Sequence, residues 1–428
     1  MRTFNMSDMS EQERLSVLRR SEADLAAISR KAREIVDQVR FGGDAALLRI
    51  AESIDGPLGR PMRVSVSELK KAADKLPPDL MKSMETCKRR IERFHSRQIM
   101  KPFMFRDSCG LLGQSVVPLA RVGVYAPGGT ASYASSVIMA CVPARIAGVP
   151  ELALCTPAKL GRVNDAVLAA AYLCEVDEVF AVGGAQAIAA LAYGTESIRK
   201  VRKIVGPGGA FVSAAKLLVR NDCEIDFLAG PSEVLVIADG TASPRLVAAD
   251  MLAQLEHDPL ARAVLLTNSG KLLAEARDEL QKMIAVTERR ATAAAAAADG
   301  AVFIKTKSIS EALDFSNEYA PEHLLVDTVA PLDLLPMIEN AGSVFLGRYS
   351  SVSFGDYCSG TNHILPTMGM ASMKSSLSVY DFLRVVPYQC LSSSGADKLA
   401  GVVEKMARAE GLPAHAQAAL MRSKKVNR

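Results

Sequence analysis

From residue 110 onward the chain alternates between two hydrophobic periods. Short apolar runs predict strands, and stretches in which apolar residues recur every three or four positions predict helices. Strands are predicted at 111–119, 121–126, 151–156, 178–182 and 203–205, with helices at 133–147, 163–174 and 184–193 among them. A second series has strands at 233–238, 262–267, 301–305, 324–327 and 343–346, with helices at 243–257, from about 270, at 309–318 and at 331–340. Strands alternating with helices of these lengths imply a parallel sheet covered on both faces, and two series imply two sheets. Residues 8–100 read as mainly helical, with capping signals at Ser21-Glu22 and at Ser65 with Glu68. The alanine run 293–298 favours helix and is no linker. Beyond Asp356 the chain turns irregular and glycine-rich, and its last part reads as a helical tail.

The helix starting at Ser243-Pro244 carries two rows. Val247, Met251 and Leu255 form an apolar stripe, while Asp250, Gln254 and His257 form a polar one. Gln254 and His257 therefore share a face and can meet one ligand, which the adjacent pair Glu256 and His257 does less readily. Taken alone, this segment favours the plainer reading, a solvated face ending in a histidine that complements the helix dipole.

Composition narrows the class without naming a function. A chain of 428 residues suggests more than one domain, and with 49% hydrophobic and 23% charged residues it can bury a large core. The net charge of +4 gives no argument for nucleic acid or a membrane surface as partner. Eight cysteines are scattered without a C-x-x-C pair, mostly in apolar runs, and read as small buried hydrophobes of a reduced protein. Residues 1–20 are polar and charged, and no apolar run reaches the roughly 18 residues of a membrane span, so the expectation is a soluble, cytoplasmic protein.

Candidate chemistry lies in loops and histidines. Three glycine-rich turns follow strands of the first series, at Pro127-Gly128-Gly129, Gly183-Gly184-Ala185-Gln186 and Gly206-Pro207-Gly208-Gly209. Each can bring a helix N-terminus against a phosphate, although none completes G-x-G-x-x-G, because Phe211 stands at the last glycine position. An ordinary strand-to-helix turn explains any single loop, but three on one sheet edge favour a dinucleotide or a phosphate-bearing ligand. The basic run from Lys88 to Arg97 reads as a solvated helix face with a phosphate-binding surface as the alternative, and His95 reads as structural. His257, His323, His363 and His415 sit beside carboxylates, amides or glycine-rich turns, a donor set that suits zinc if the fold gathers them. Glu322 and His323 point to opposite faces of a regular strand, and Pro321 makes a bend plausible that would let them share a proton-transfer site.

Several long motifs, in order, resemble the histidinol dehydrogenase family from about residue 25 to the C-terminus. They are Val122 to Thr130, Gly183 to Ala190, Ala229-Gly230-Pro231-Ser232-Glu233, Gln254 to Pro259, Ala320 to Leu324, Gly355 to Thr367 and Glu410 to His415. The resemblance implies oxidation of L-histidinol through L-histidinal to L-histidine, the last steps of histidine biosynthesis, with two NAD and one zinc in a homodimer with shared active sites. It implies two Rossmann-like parallel-sheet domains: 25–118 with 240–373 carrying the metal and acid–base residues, and 119–239 binding NAD. Residues 374–428 would form a helical tail reaching the partner subunit. The implied zinc ligands are Gln254, His257, Asp356 and His415, the last from the partner's tail. Glu322 is implied as the base that activates water and His323 as the acid–base group of the oxidations. Ser232, His363 and Glu410 are implied as substrate contacts beside the metal ligands and His323, while Tyr125, Gln186 and the position of Gly209 are implied at NAD.

Three positions depart from the family pattern. Gly209 stands where asparagine is usual, Ala134 replaces a common proline, and Ser350 to Ser353 lack a Thr-Pro-Glu-like sequence. They bear on the nicotinamide cofactor and leave the implied metal and acid–base positions untouched. The rivals are a dehydrogenase of another polar alcohol such as a sulfonated diol, which Glu410 disfavours by charge, a zinc hydrolase, and a silent ligand-binding protein.

Overall fold

The strand Glu233–Ala238 is buried at every residue. Val234 and Val236 point to one face of its sheet and pack with Val247, Met251 and Leu255 of helix Pro244–Leu255. Leu235 and Ile237 point to the other, against Leu313, Phe315 and Tyr319 of helix Ile309–Tyr319. Burial on both faces explains why the strand is a continuous apolar run. Each such side chain removed from water contributes about 1.5–3 kcal/mol before entropy is counted.

The computed structural model of the chain describes residues 1–19, 25–128, 133–227 and 230–423. The capping signal at Ser21-Glu22, the ends of two family motifs at Gly129-Thr130 and Ala229, and the last five residues of the tail lie outside them. Two compact units are present, one of residues 1–98 and 120–381, the other of 99–119 and 382–428.

The larger unit holds two six-stranded sheets of one winding. In the first, Arg121–Tyr125 is central. The chain moves outward through Glu151–Cys155 and Glu178–Phe180, then crosses back to Lys203–Val205 on the other side and out to Glu224–Ile225. In the second, Glu233–Ala238 is central, with Arg262–Thr267 and Ala301–Lys305 on one side and His323–Asp327 and Ser343–Leu346 on the other. These ten strands run parallel within their sheets, so both are doubly wound α/β layers with a switch point beside the central strand. An edge strand completes each sheet. Arg63–Val64 pairs antiparallel in the first, and Arg2–Asn5 pairs parallel in the second.

Sheet membership divides the chain differently from the expected spans. Strand Glu233–Ala238 is the centre of the second sheet, although the boundary expected at 239 put it with the first. Helices Leu25–Asp55, Val66–Lys75 and Pro78–His95 pack on helices of the first sheet, not on the second as expected for 25–118. An amphipathic helix declares that it has a face to bury and not which partner buries it. Smaller differences have local causes. The long helix expected from 270 is two, Gly270–Val286 and Arg290–Gly300, and the helix expected at 331–340 is one turn plus a 3₁₀ turn. Ser65 and Glu68 form the expected capping box, whereas Ser243 caps by position without a side-chain bond.

The smaller unit is an antiparallel sheet of Phe103–Arg106, Gly110–Pro118 and Leu383–Leu391, followed by helices Ser393–Ala409 and Pro413–Leu420. The tail expected to be wholly helical from 374 thus includes a nine-residue strand. Strand 110–118 belongs here and not to the first parallel series, because its partner arrives more than 260 residues later in the chain. Half of the eight free cysteines are buried: Cys141, Cys155, Cys174 and Cys223. Burial pushes the thiols of Cys174 and Cys223 up to about 12. Among the described residues no helix is long and apolar enough to cross a membrane.

One buried ion pair sets the turn at the first switch point. Lys216 Nζ donates to the Gly206 carbonyl and to Asp226 Oδ1, each at 2.6 Å, and Asp226 Oδ2 accepts the Gly206 N–H at 2.8 Å. Gly206 has φ +117°, and a Cβ there would lie 2.1 Å from the Tyr125 carbonyl oxygen, so only glycine fits. Lys216→Met strands the Asp226 carboxylate and is expected to cost about 3–5 kcal/mol. A shift of the urea midpoint worth less than about 1 kcal/mol would show that the pair does not hold this turn.

Candidate active site

Loops of the first sheet meet at the carboxyl ends of its strands. Cβ atoms at Gly128 and Gly183 would lie 2.7 and 2.6 Å from the Pro157 side chain, so both glycine-rich turns close on the same proline. Tyr125, buried at the end of the central strand, accepts the Gly184 N–H on its hydroxyl at 3.1 Å. Burial pushes its phenol up to about 12, so it stays neutral. Gln186, 1% exposed, has neither amide atom hydrogen-bonded. Both atoms of such an amide need a partner, and a polar ligand at this edge would supply one. Gly209 is the N-cap of helix Ala210–Val219 without a side-chain bond, so an asparagine at this position would have offered a cap that the glycine lacks. Ala134 opens helix Ala134–Ile146 at the position that favours proline.

The candidate acid–base residues lie at the amino edge of the second sheet, at its own switch point. Helix Ile309–Tyr319 ends on Ala320 in the left-handed region, with φ +47°. Pro321 follows, and the chain enters strand His323–Asp327 already bent. The bend brings both side chains to Glu233, the first residue of the neighbouring strand. Glu322 Oε2 accepts the Glu233 N–H at 2.8 Å, and the Glu322 N–H donates back to Glu233 Oε1 at 3.3 Å. Tyr319 donates its hydroxyl to Glu233 Oε2 at 2.9 Å. His323 Nδ1 lies 3.0 Å from the Glu233 carbonyl oxygen, which can only accept, so Nδ1 carries a proton and donates it. Its Nε2 has no hydrogen-bond partner and faces Asp356 Oδ1 at 3.6 Å.

Charge follows this geometry. Burial pushes the Glu322 carboxyl up, against the pull of His323. Burial alone would lower the His323 imidazole, but Glu322 and Asp356 outweigh it and hold it well above the usual histidine range. Burial likewise opposes the charge on Asp356, yet His323, with His363 and His257, holds its carboxyl below the usual range.

Asp356 arrives on helix Val352–Tyr357. This helix packs against Pro244–Leu255, and the Ser351 hydroxyl donates to Asp250. The contact brings Asp356 toward the end that carries Gln254, which is buried, and His257, which is exposed. The polar row Asp250, Gln254 and His257 is therefore not simply a solvated face. His363 donates from Nδ1 to the Asp356 carbonyl at 2.6 Å, and burial lowers its imidazole. Its Nε2 is left to accept from the Ser136 hydroxyl at 3.0 Å. Ser136 lies in the first turn of the helix that starts from the cofactor-type edge of the first sheet, so this bond joins the two edges. Ser232 is half-buried just before the central strand of the second sheet.

Glu410 caps helix Ser393–Ala409 and His415 lies in the first turn of Pro413–Leu420, both exposed in the smaller unit. Among the described residues no three His, Cys, Asp or Glu side chains form a metal-holding group. The set Gln254, His257 and Asp356 has only two residues of those four kinds. Its amide oxygen, imidazole nitrogen and carboxylate oxygen suit zinc chemically and leave coordination to be completed from elsewhere. Glu233 and Ser136 carry no role in the sequence reading. For Glu233 one signal was available, a charged residue opening a strand that is otherwise wholly apolar.

With this geometry in place, comparison with known proteins is decisive. The family profile of histidinol dehydrogenase matches residues 18–423. The chain belongs to the histidinol dehydrogenase family. It is 45% identical over 403 residues to the histidinol dehydrogenase of Methanothermobacter thermautotrophicus, covering 94% of this chain and 95% of that one. It is 42% identical over 431 residues to that of Vibrio parahaemolyticus, covering 100% and 99%. The crystal structure of histidinol dehydrogenase from Elizabethkingia anophelis superposes with a TM-score of 0.94 at 35% identity, over 100% of this chain and 99% of that one. Membership makes the chain an oxidoreductase, and the resemblance carried by the motifs is thereby shown.

Glu233→Gln turns an amide N–H₂ toward groups that now donate to a carboxylate. It is expected to lower histidinol-dependent turnover by about ten- to a hundredfold, as loss of an orienting partner does, with the thermal midpoint nearly unchanged. Unaltered turnover, or a loss matched by unfolding, would remove Glu233 from the positioning role.

Proposed function

We propose that the chain oxidises L-histidinol through L-histidinal to L-histidine with two NAD and one zinc, closing histidine biosynthesis. The reading rests above all on the Ser136–His363 bond, which puts a nucleotide-type sheet edge beside the Glu322, His323 and Asp356 cluster. Gln254, His257, Asp356 and the partner's His415 would hold zinc, whose chemistry is to fix and polarise the amino alcohol, not to exchange electrons. Tyr125, Gln186 and the backbone at Gly209 would face NAD, which takes up one hydride in each oxidation. Ser232, His363 and the partner's Glu410 would contact the substrate, the glutamate by pairing with its ammonium group.

His323 is oriented by the Glu233 carbonyl so that Nε2 is the nitrogen open to the site. In its neutral form, with Nε2 unprotonated, it would take the alcohol proton as the first hydride leaves, and the Glu322 and Asp356 carboxylates that raise the imidazole would favour that transfer. Glu322 would then remove a proton from water attacking the aldehyde, giving a hydrate whose second hydride loss yields the acid. Its carboxyl, pushed up by burial, is a better proton acceptor than an ordinary glutamate.

Support for a homodimer with shared sites comes from the smaller unit. Its strands and helices leave Phe103, Met104, Val385, Tyr388, Val402 and Met406 exposed, apolar side chains that a partner subunit would cover. The unpaired cysteines fit a reducing cytoplasm.

The test is NADH formed per L-histidinol consumed by purified, zinc-loaded protein. About two NADH per substrate, lost on chelation and restored by zinc, is the expected result. NADH formation with another polar alcohol and none with histidinol would overturn the substrate and leave the site standing.

A further inference from the structure

The basic run at the end of helix Pro78–His95 has no part in the reaction above. Arg90, Arg93 and Arg97 recur at helical spacing and, with Phe94 and Ser359, line a cavity of about 270 Å³. Arg90 is already committed. Its Nε donates to the Cys358 carbonyl at 2.5 Å and its Nη2 to the Ser359 carbonyl at 3.3 Å. Gly360, with φ +118°, is pressed so closely on this helix that a Cβ would lie 2.9 Å from the Arg90 carbonyl oxygen. The wall formed by loop 358–360 is therefore built onto the helix by specific bonds.

The charge in this cavity is uncompensated. Among the described residues no carboxylate pairs with Arg90, Arg93 or Arg97, while the neighbouring Lys88 has Glu92 at 2.6 Å. Three guanidinium groups held within two helical turns repel one another, and an anion that accepts from two of them relieves the repulsion and gains charge-assisted bonds. Phe94, 43% exposed, adds an apolar wall, and the Ser359 hydroxyl, 3.2 Å from the Thr361 hydroxyl, adds a neutral group that can donate when Thr361 donates to it. A planar carboxylate uses one fork, whereas a phosphoryl group presents three oxygens to converging forks.

We propose that this cavity is a binding site for a phosphoryl dianion, either free phosphate or a small phosphomonoester whose organic part lies on Phe94. Arg93 and Arg97 are the principal donors, with Ser359 at the rim and Arg90 holding the wall. Its lining shares no residue with the glycine-rich turns of the first sheet that face NAD in the proposed reaction.

Calorimetric titration of the full-length protein with inorganic phosphate and with phenyl phosphate tests this without any turnover. Saturable binding is expected, weakened about tenfold or more in Arg93→Gln/Arg97→Gln, whose exposed positions leave the unfolding midpoint unchanged. Tighter binding of phenyl phosphate, lost in Phe94→Ala, identifies an ester as the ligand class, and equal affinity identifies free phosphate. The proposal is overturned by the absence of saturable binding, or by affinity undiminished in the double variant. Competition with NAD would overturn it as well, since the anion would then belong to the cofactor. Dissociation of an assembled wild-type protein by the double substitution would assign the arginines to subunit contact instead. None of these outcomes depends on which alcohol the enzyme oxidises.

Discussion

Two buried glutamates that exchange backbone hydrogen bonds hold the reactive edge together. Glu233 and Glu322 each accept an N–H belonging to the other, and the same Glu233 residue gives its carbonyl to His323. Parallel pairing of their strands sets the register that makes this possible, with Val234 opposite His323. A carboxylate taken out of water costs several kcal/mol unless hydrogen bonds replace the hydration. Here the replacement comes largely from backbone and from the Tyr319 hydroxyl, groups that cannot swing away. The bonds that make burial tolerable therefore also fix which imidazole nitrogen is free.

The two sheets share a winding and carry their candidate residues at opposite ends of it. In the first sheet the glycine-rich turns lie at the carboxyl ends of the strands, where doubly wound folds bind nucleotides. In the second, Ser232, Glu322 and His323 lie at or just before the amino ends. The link is helix Ala134–Ile146, which leaves the first edge and within one turn reaches His363 through Ser136. In the proposed reaction a nucleotide on the first edge and the substrate on the second would flank this contact.

Much of this was legible because local chemistry was decisive. Short, β-branched apolar runs such as 233–238 and 262–267 read as strands buried on both faces, and the structure gives them those bounds. The glycine-rich turn at Gly206 was legible as well, and the structure supplies the reason for its glycine, since a Cβ there would meet the Tyr125 carbonyl oxygen. Assignments that needed a distant partner were not. Strand Gly110–Pro118 joined its neighbours in the parallel series on paper, while its true partner Leu383–Leu391 was read as helix. Helix Leu25–Asp55 advertised an apolar face without saying that the first sheet's helices would cover it.

By itself, then, the sequence determined the fold class, the two αβ series and, through long motifs, the family. It also determined the chemical type of each candidate group, because periodicity, turn residues and donor atoms are local properties of the chain. Tertiary structure decided which groups lie together: that Glu322 and His323 share one side of a bend, that Glu233 anchors both, that Ser136 touches His363, and that loop 358–360 walls the three arginines. These depend on strand register and helix packing, which are set by contacts between residues far apart in the chain.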